Sequence, residues 1–421
     1  MEYKDTSIGI VPVDWKLLEL KDIGKFQYGY TTSAEDHETG VKFLRITDIV
    51  DDGTISWKKV PYCSINQKDF KKYELMPGDI VFARIGATSG KTGFIEKNGL
   101  KSIFASYLIR LKVKEGISPK LIFYLTHSNI YWSQVIKQRE GQLKKGMNAK
   151  MLSLIQIPVP EDISEQEKIA EILSTVDQAI QKSDEIIAKT ERLKKSMIYK
   201  LLDEGIEHDE FKDTPIGRIP INWNIERLGD ITQVTVGHVG PISQYYTDSD
   251  EGIPLVSTTN ISDNGMDLKN LKFVSKEFDE KYKKSKVFSN DLIIARHGAS
   301  GSASLVPPNL DKAQSLNVVI VRASKNFNSK YLEFLFNYGT IKTRLAGWKS
   351  GSVQGVVNTR VLEKFKIPIP SLTEQGKIVS IASSIDEKYK VELIRNLKLK
   401  NIKKGLMNDL LTGRKRVKIN N

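Results

Sequence analysis

A single cysteine, Cys63, stands in 421 residues, which excludes an internal disulfide framework and suits a reducing compartment. Histidine is scarce too: the five, at 37, 127, 208, 238 and 297, are scattered without the spacing of a metal-ligand set. No apolar run approaches the roughly 20 residues of a membrane-spanning helix. Residues 1–10 lack the apolar core of a signal peptide. These absences together lead to the expectation of a soluble, cytoplasmic protein. Acidic residues are outnumbered, 51 against 64 Lys and Arg, leaving a net charge of +13. An excess of this size favours a polyanionic partner, nucleic acid first, over a membrane surface. A basic but otherwise ordinary protein has the same balance, so composition alone leaves both readings open.

Proline and glycine are wholly missing from residues 164–202, about 39 positions, and that gap marks the dominant element. Ser164 followed by Glu167 has the spacing of a capping box at a helix start. Ile169, Val176, Ser183, Thr190 and Met197 then recur every seven residues. Ile172, Ala179, Ile186 and Leu193 lie three further on, flanked by Leu173, Ile180, Ile187 and Leu201. The pattern predicts a coiled-coil partner helix, a rod of roughly 58 Å. Such a rod needs a second helix to cover its stripe. The chain supplies one near Thr373, where Ile378, Ile381 and Ile385 open a stripe that resumes at Leu399, Ile402, Leu406 and Leu410. Lys388 and Glu392 interrupt that register, and Gly376 stands where the capping-box Glu would be, so a weaker helix start is expected.

The second helix belongs to a repeat of the whole chain. Ile8-Gly9-Ile10-Val11-Pro12-Val13-Asp14-Trp15 returns, offset by 208, as Ile216-Gly217-Arg218-Ile219-Pro220-Ile221-Asn222-Trp223. Gly78-Asp79-Ile80-Val81-Phe82-Ala83-Arg84 matches Asn290-Asp291-Leu292-Ile293-Ile294-Ala295-Arg296, and Ile157-Pro158-Val159-Pro160 matches Ile367-Pro368-Ile369-Pro370. Glu165-Gln166 pairs with Glu374-Gln375. Each copy runs from a Trp-bearing arm through strands and a Gly/Ser/Thr-rich loop to a short helix. A Pro-rich strand and the long helix complete it. The fold expected is α/β of the α+β type: two similar mixed units separated by a long antiparallel two-helix coiled coil, a pseudo-two-fold tandem repeat. A rod of this length exceeds one DNA turn of about 34 Å.

Catalytic motifs are near misses. Gly86-Ala87-Thr88-Ser89-Gly90-Lys91-Thr92 resembles a phosphate-binding loop, but only three residues separate its glycines and Ile85 occupies a required Gly position. Its counterpart, Gly298-Ala299-Ser300-Gly301-Ser302, has no lysine. Val306-Pro307-Pro308-Asn309 lacks the acceptor and the ring that hold a flipped base, and reads as a turn. What remains is polar loop chemistry. Arg84 and Arg296 end equivalent strands, where a guanidinium reaches guanine or phosphate, or instead pins the turn through a carboxylate. Thr88, Ser89 and Lys91 share the first loop, and His297, Ser300 and Ser302 the second. Lys144, Lys145 and Asn148 align with Lys349, Ser352, Gln354 and Asn358; the lysines suit phosphate, and each Asn reads adenine or caps backbone. Tyr28, Tyr30, Thr31 and Thr32 stand opposite His238, Gln244 and Tyr245. The basic tail 414–418 touches DNA backbone or is merely solvated. The copies agree in scaffold and differ in these loops, as expected if each reads a different base sequence.

The duplicated Ile-Gly-x-x-Pro-x-x-Trp arm resembles the specificity subunit of type I restriction–modification systems, as do the Ile-Pro-x-Pro strand leading to Glu-Gln and the Lys-Lys helix endings at Lys194 and Lys403. The resemblance covers essentially the whole chain. It implies target-recognition domains at 1–160 and 206–370, spacer helices at 161–205 and 371–421, and a non-catalytic role in host defence. Double-stranded DNA, two methylation subunits and restriction subunits would be the partners. S-adenosylmethionine, ATP and Mg would reside in those subunits, and no cofactor in this chain. Two rivals stay open at this point: a P-loop-like nucleic-acid-dependent NTPase and a coiled-coil scaffold without a DNA role.

Overall fold

The computed structural model describes residues 2–96, 99–140, 146–262, 265–296, 301–325, 327–339, 341–344 and 358–418. The chain forms two compact units, residues 1–184 with 395–421, and residues 185–394. In the first unit, strands Gly24–Tyr28, Leu108–Val113, Ile80–Ala83 and Thr92–Phe94 make an antiparallel sheet in that order. The second unit repeats it with Thr232–Val236, Val318–Ala323, Leu292–Ala295 and Ala303–Leu305. The apolar run at 80–83 is buried along its length because helices cover one sheet face and the smaller strand group the other. The Trp arm pairs with the Pro-rich strand in each unit, Trp15–Glu19 with Gln156–Pro160 and Asn224–Arg227 with Lys366–Ile369. Prolines are tolerated in these two-stranded ribbons because one edge needs no N–H donor. Both tryptophans are 1% exposed.

The long helices span Ile163–Asp203 and Leu372–Leu410, and their pairing is antiparallel within each unit. In the first, Asp177 meets Lys403 at 2.6 Å and Asp184 meets Asn396 at 3.0 Å. In the second, Lys194 pairs with Asp386. The residue numbers of each of these pairs add to 580, so all three obey one register.

The seam differs from the expected one in two ways. On the first helix it keeps Ile169, Val176, Ser183 and Thr190 of the expected heptad, adds the flanking Leu173, Ile180 and Ile187, and continues through Lys194, whereas Ala179 and Leu193 are exposed. On the second, the protected positions include 378, 382, 385, 389, 392, 396, 399, 403, 406 and 410, which alternate by four and three. Lys388 lies off this seam and exposed, as do Ile381 and Ile402. The interruption read from the sequence is therefore a change of side-chain chemistry on a continuous seam. Tyr389, Glu392, Asn396 and Lys403 fill positions that apolar residues hold elsewhere. Buried polar pairs of this kind cost desolvation but specify register and orientation.

Helix starts also differ. Asp162, and not Ser164, caps the first helix, its carboxylate accepting from the Ser164 amide at 2.8 Å. The second helix begins one residue before Thr373, and Ser371 Oγ accepts from the Glu374 amide at 3.2 Å. This start therefore has its own cap, and the glycine at 376 lies inside the helix.

Each start is anchored by the duplicated Glu-Gln. Gln166 donates to Pro160 O at 2.8 Å and accepts from the Ser118 amide at 2.9 Å; Gln375 donates to Pro370 O at 3.0 Å and accepts from the Asn328 amide at 2.9 Å. The neighbouring glutamates grip the chain that follows a long helix. Gly205 and Gly413, at φ +72° and +68°, take the left-handed turn that ends each helix. Three residues beyond each glycine, His208 Nε2 reaches Glu374 at 2.7 Å, and Arg416 binds both Glu165, at 2.5 and 2.6 Å, and Asp14, at 2.7 and 2.9 Å. Within the tail 414–418, Arg416 is thus a clasp on the first unit.

Arg416→Ala leaves the Glu165 carboxylate, 2% exposed, without its cation. The expected loss at pH 7 is about 2–4 kcal/mol, or roughly 5–10 °C in the unfolding midpoint, read by scanning calorimetry. The hydrogen bonds from Arg416 hold the Asp14 carboxyl below its ordinary range. A carboxylate lowered on folding stabilises above its unfolded pKa of about 3.9 and loses that effect as pH falls through the folded value. The difference between wild type and variant should therefore shrink as pH drops below about 4. For the seam, Asp386→Ala strands the buried Lys194 ammonium and should lower the midpoint by several degrees, while Lys194→Met with Asp386→Leu restores most of it in the same calorimetric comparison.

Candidate nucleic-acid interface

The strand-end arginines follow an inner strand of each four-stranded sheet. In the first unit the Arg84 backbone is held on both sides: its N–H donates to Tyr107 O at 2.9 Å and its carbonyl accepts from Met147 N at 2.8 Å. Its guanidinium carbon lies 5.0 Å from the Tyr28 ring centroid, a cation–π distance. The Tyr28 hydroxyl accepts from the Ala149 amide at 3.1 Å. Asn148 caps the helix Ala149–Ser153 by accepting from Met151 N at 2.9 Å. Tyr28, Arg84 and Asn148 therefore converge. The turn-pinning role considered for Arg84 and Arg296 falls to other arginines. Arg110 pairs with Asp79 at 3.1 Å, and Arg322 grips Asp291 through two hydrogen bonds of 2.8 and 2.6 Å. These residues went unnoticed in the sequence because they do not recur in step: they reach the equivalent Asp79 and Asp291 from ladder positions two apart, Arg322 aligning with Lys112 and not with Arg110.

The glycine-rich loop 86–91 connects two antiparallel strands, Phe82 facing Thr92, and no helix follows it. A phosphate-cradling loop needs the N-terminus of a helix behind it, so the NTPase reading has no structural basis. Arg139 donates to Ser89 O and Ala87 O at 3.2 and 3.3 Å, and Tyr131 OH donates to Gly90 O at 2.7 Å. Thr88 is exposed at the turn, while Ser89 is fully buried. Lys91 turns away to Ile49 O and Asp51, at 2.7 and 2.8 Å. The Val306-Pro307-Pro308-Asn309 segment contains a 3₁₀ turn, Pro308–Leu310.

A second cluster joins the loop after the first sheet strand to a short basic helix. The Tyr30 ring lies 5.2 Å from Tyr73, at the end of Gln67–Tyr73. Thr31, exposed, and Thr32, partly buried, follow it. In the second unit His238 takes the place of Tyr30 and lies 4.3 Å from Tyr282, just past Lys276–Lys281. Burial lowers the His238 pKa, so its ring is neutral at pH 7. Tyr245 packs 6.1 Å from the same Tyr282 ring and its hydroxyl receives a hydrogen bond from Lys281 at 2.9 Å. Gln244 is exposed beside it. Tyr73, Lys281 and Tyr282 escaped the sequence reading because their helices are short and of ordinary composition.

Arg296 follows Leu292–Ala295 and is partly buried. Ser302 occupies the ladder position of Lys91, its carbonyl accepting from Ala295 N at 2.9 Å as Lys91 O accepts from Ala83 N at 2.7 Å. Asn358 caps Thr359–Glu363, accepting from Arg360 N at 3.0 Å, so both recurring asparagines serve as helix caps. Lys144, Lys145, His297, Ser300, Lys349, Ser352 and Gln354 lie outside the described residues. Among the described residues no group of three or more His, Cys, Asp or Glu is placed to hold a metal ion, and no helix is long and apolar enough to cross a membrane.

Comparison with known proteins agrees with this duplicated architecture. The family model of the type I restriction modification DNA specificity domain matches twice, at residues 12–192 and 220–403. The chain is 30% identical over 435 residues to a Methanocaldococcus jannaschii protein named as the MjaX specificity subunit of a type I restriction enzyme, covering 99% of this chain and 97% of the relative. It is 27% identical to the MjaVIII specificity subunit of the same organism, over 97% of this chain and 94% of the relative. Among solved structures, the S subunit of a type I restriction–modification system from M. genitalium shares the fold with a TM-score of 0.60 at 14% identity, over 97% of each chain. With both halves matched by one domain model, the chain belongs to the type I restriction–modification DNA specificity family, whose members recognise DNA sequence through two target-recognition domains.

Proposed function

We propose that each unit reads one half of an asymmetric bipartite DNA site and that this chain performs no catalysis itself. The observation that carries the reading is a common frame, Arg84 and Arg296 at matched strand ends, surrounded by loops that differ between units. Shared scaffold with divergent polar loops is what two readers of different sequences require, since base contacts specify and phosphate contacts position. Tyr28, Tyr30, Thr31, Thr32, Arg84 and Asn148 form the first reading surface. His238, Gln244, Tyr245, Arg296 and Asn358 belong to the second. The net charge of +13 supplies the attraction to phosphate.

The relatives' names place such chains within type I restriction enzymes. In this proposal the paired helices dock two methylation subunits and set the unspecific gap between half-sites, and restriction subunits join that assembly in the cytoplasm. Adenine methylation with S-adenosylmethionine, and cleavage driven by ATP with Mg, take place in those partners. A scaffold without a DNA role would leave the differing loops without a task.

Footprinting of the complex with methylation subunits should show two protected half-sites with a constant gap; one contiguous site would contradict the reading. Removing seven residues from 178–184 together with seven from 396–402 takes out the Asp184–Asn396 contact but keeps the flanking Lys–Asp pairs in step. Methylome sequencing should then return the original half-site sequences with an altered gap. An unchanged gap would mean that the helices do not measure it.

A further inference from the structure

Three exposed residues neighbour Arg84, by sequence, across the ladder or through a ring contact, where its strand ends: Ile85 at 43%, Tyr107 at 56% and Tyr28 at 42%. Tyr107 lies directly across the ladder, one residue beyond the Ala83–Leu108 pair, and its carbonyl accepts the Arg84 N–H. The Tyr28 ring on which the guanidinium rests is itself tethered through its hydroxyl to the Ala149 amide. Backbone and side chain of Arg84 are thus both oriented, while the residue remains exposed and, among the described residues, makes no ion pair of the Asp79–Arg110 kind.

We propose that Arg84 is the guanine-reading residue of the first unit, with Tyr28 as the shelf that sets the plane of its fork and Tyr107 and Ile85 as the apolar surround for the neighbouring bases. This assignment rests on the DNA-reading function proposed above. A phosphate contact needs only a cation at the surface. A fixed plane matters for the two-pronged approach to guanine O6 and N7. An apolar surround suits base edges and thymine methyl groups better than it suits a hydrated phosphate.

The second unit keeps the arginine and changes its setting. Arg296 follows the Ala295–Val318 pair that ends the ladder; the residue before Val318 is Asn317, a bend at φ +53°, and Val236 occupies the ladder place of Tyr28. No ring is available at that position to carry the Arg296 guanidinium, and an amide replaces the Tyr107 phenol. One position of the frame is therefore common, and its neighbours at 28/236 and 107/317 write the difference between the half-sites.

The test uses the complex with methylation subunits and selection from duplexes randomised at every position, comparing wild type, Arg84→Ala and Tyr28→Leu. Arg84→Ala should abolish the preference for one G·C pair in one half-site, a loss of roughly 10- to 100-fold in discrimination, with the other half-site untouched. Tyr28→Leu, which keeps the cation, should weaken the same position and no other. The intact second half-site reports that each variant is folded and assembled. If Arg84→Ala weakens binding equally on all sequences and lowers the salt slope by about one, the residue is a phosphate contact and the proposal fails. A motif unchanged in Arg84→Ala overturns the guanine assignment alone. A wild-type complex that selects no sequence overturns the DNA-reading function and this assignment with it.

Discussion

The constraint on which the structure depends is the Glu-Gln pair in the first turn of each long helix, its amide buried in both units and its carboxylate buried in the first and half-buried in the second. Glu165 and Gln166 are each 2% exposed and Gln375 is 1% exposed. Groups buried to this degree must be fully hydrogen-bonded, and their partners come from three different parts of the unit. The amide ties the Pro-rich strand to the cap of a short core helix, while the carboxylate captures the segment that leaves the end of a long helix. A long rod would otherwise be free to swing at its ends, where the intrahelical carbonyls and amides run out.

The two units solve the carboxylate problem differently. Around Glu374 gather His208, the Ile206 amide and the Trp223 indole N–H at 3.1 Å; around Glu165 a single arginine makes both hydrogen bonds and also reaches Asp14. In consequence the indole N–H of Trp15 is left without a partner among the described residues, where its counterpart Trp223 has one. One frame accommodates both solutions because a carboxylate accepts both from a fork of guanidinium donors and from several separate single donors. The same tolerance explains the helix seam. Lysine, tyrosine and asparagine sit where leucine would pack, each satisfied by a partner at the matching height of the other helix. Stability is lost relative to an apolar seam, and a unique register is gained.

This rigid frame leaves the functional residues on its loops. Arginines on or at the end of the sheet strands can either be neutralised inside the fold or offered at its surface, and the outcome depends on whether an aspartate lies within reach. Arg110 and Arg322 find one, and Arg84 finds an aromatic ring. A guanidinium against a ring keeps its in-plane donors available, whereas one against a carboxylate has lost them.

What the sequence by itself determined is whatever repeats or has a local period. The duplication, the order of parts, the two long helices and their antiparallel pairing are all written in spacing, because helix length and amphipathic period are properties of neighbouring residues. The family resemblance was legible for the same reason. The choice between Ile172 and Leu173, or between Leu193 and Lys194, as the seam was not legible. Positions three and four further along a helix share a face, and only the partner helix decides which is covered. The cap of the second helix start was not legible because it lies two residues before the place the repeat alignment indicated, at Ser371. The roles of Arg416, Arg110 and Tyr107 were decided by tertiary structure alone. Each depends on a partner far away in the chain, Glu165, Asp79 or Arg84, and a charge or ring carries no local mark of the neighbour that folding will bring to it.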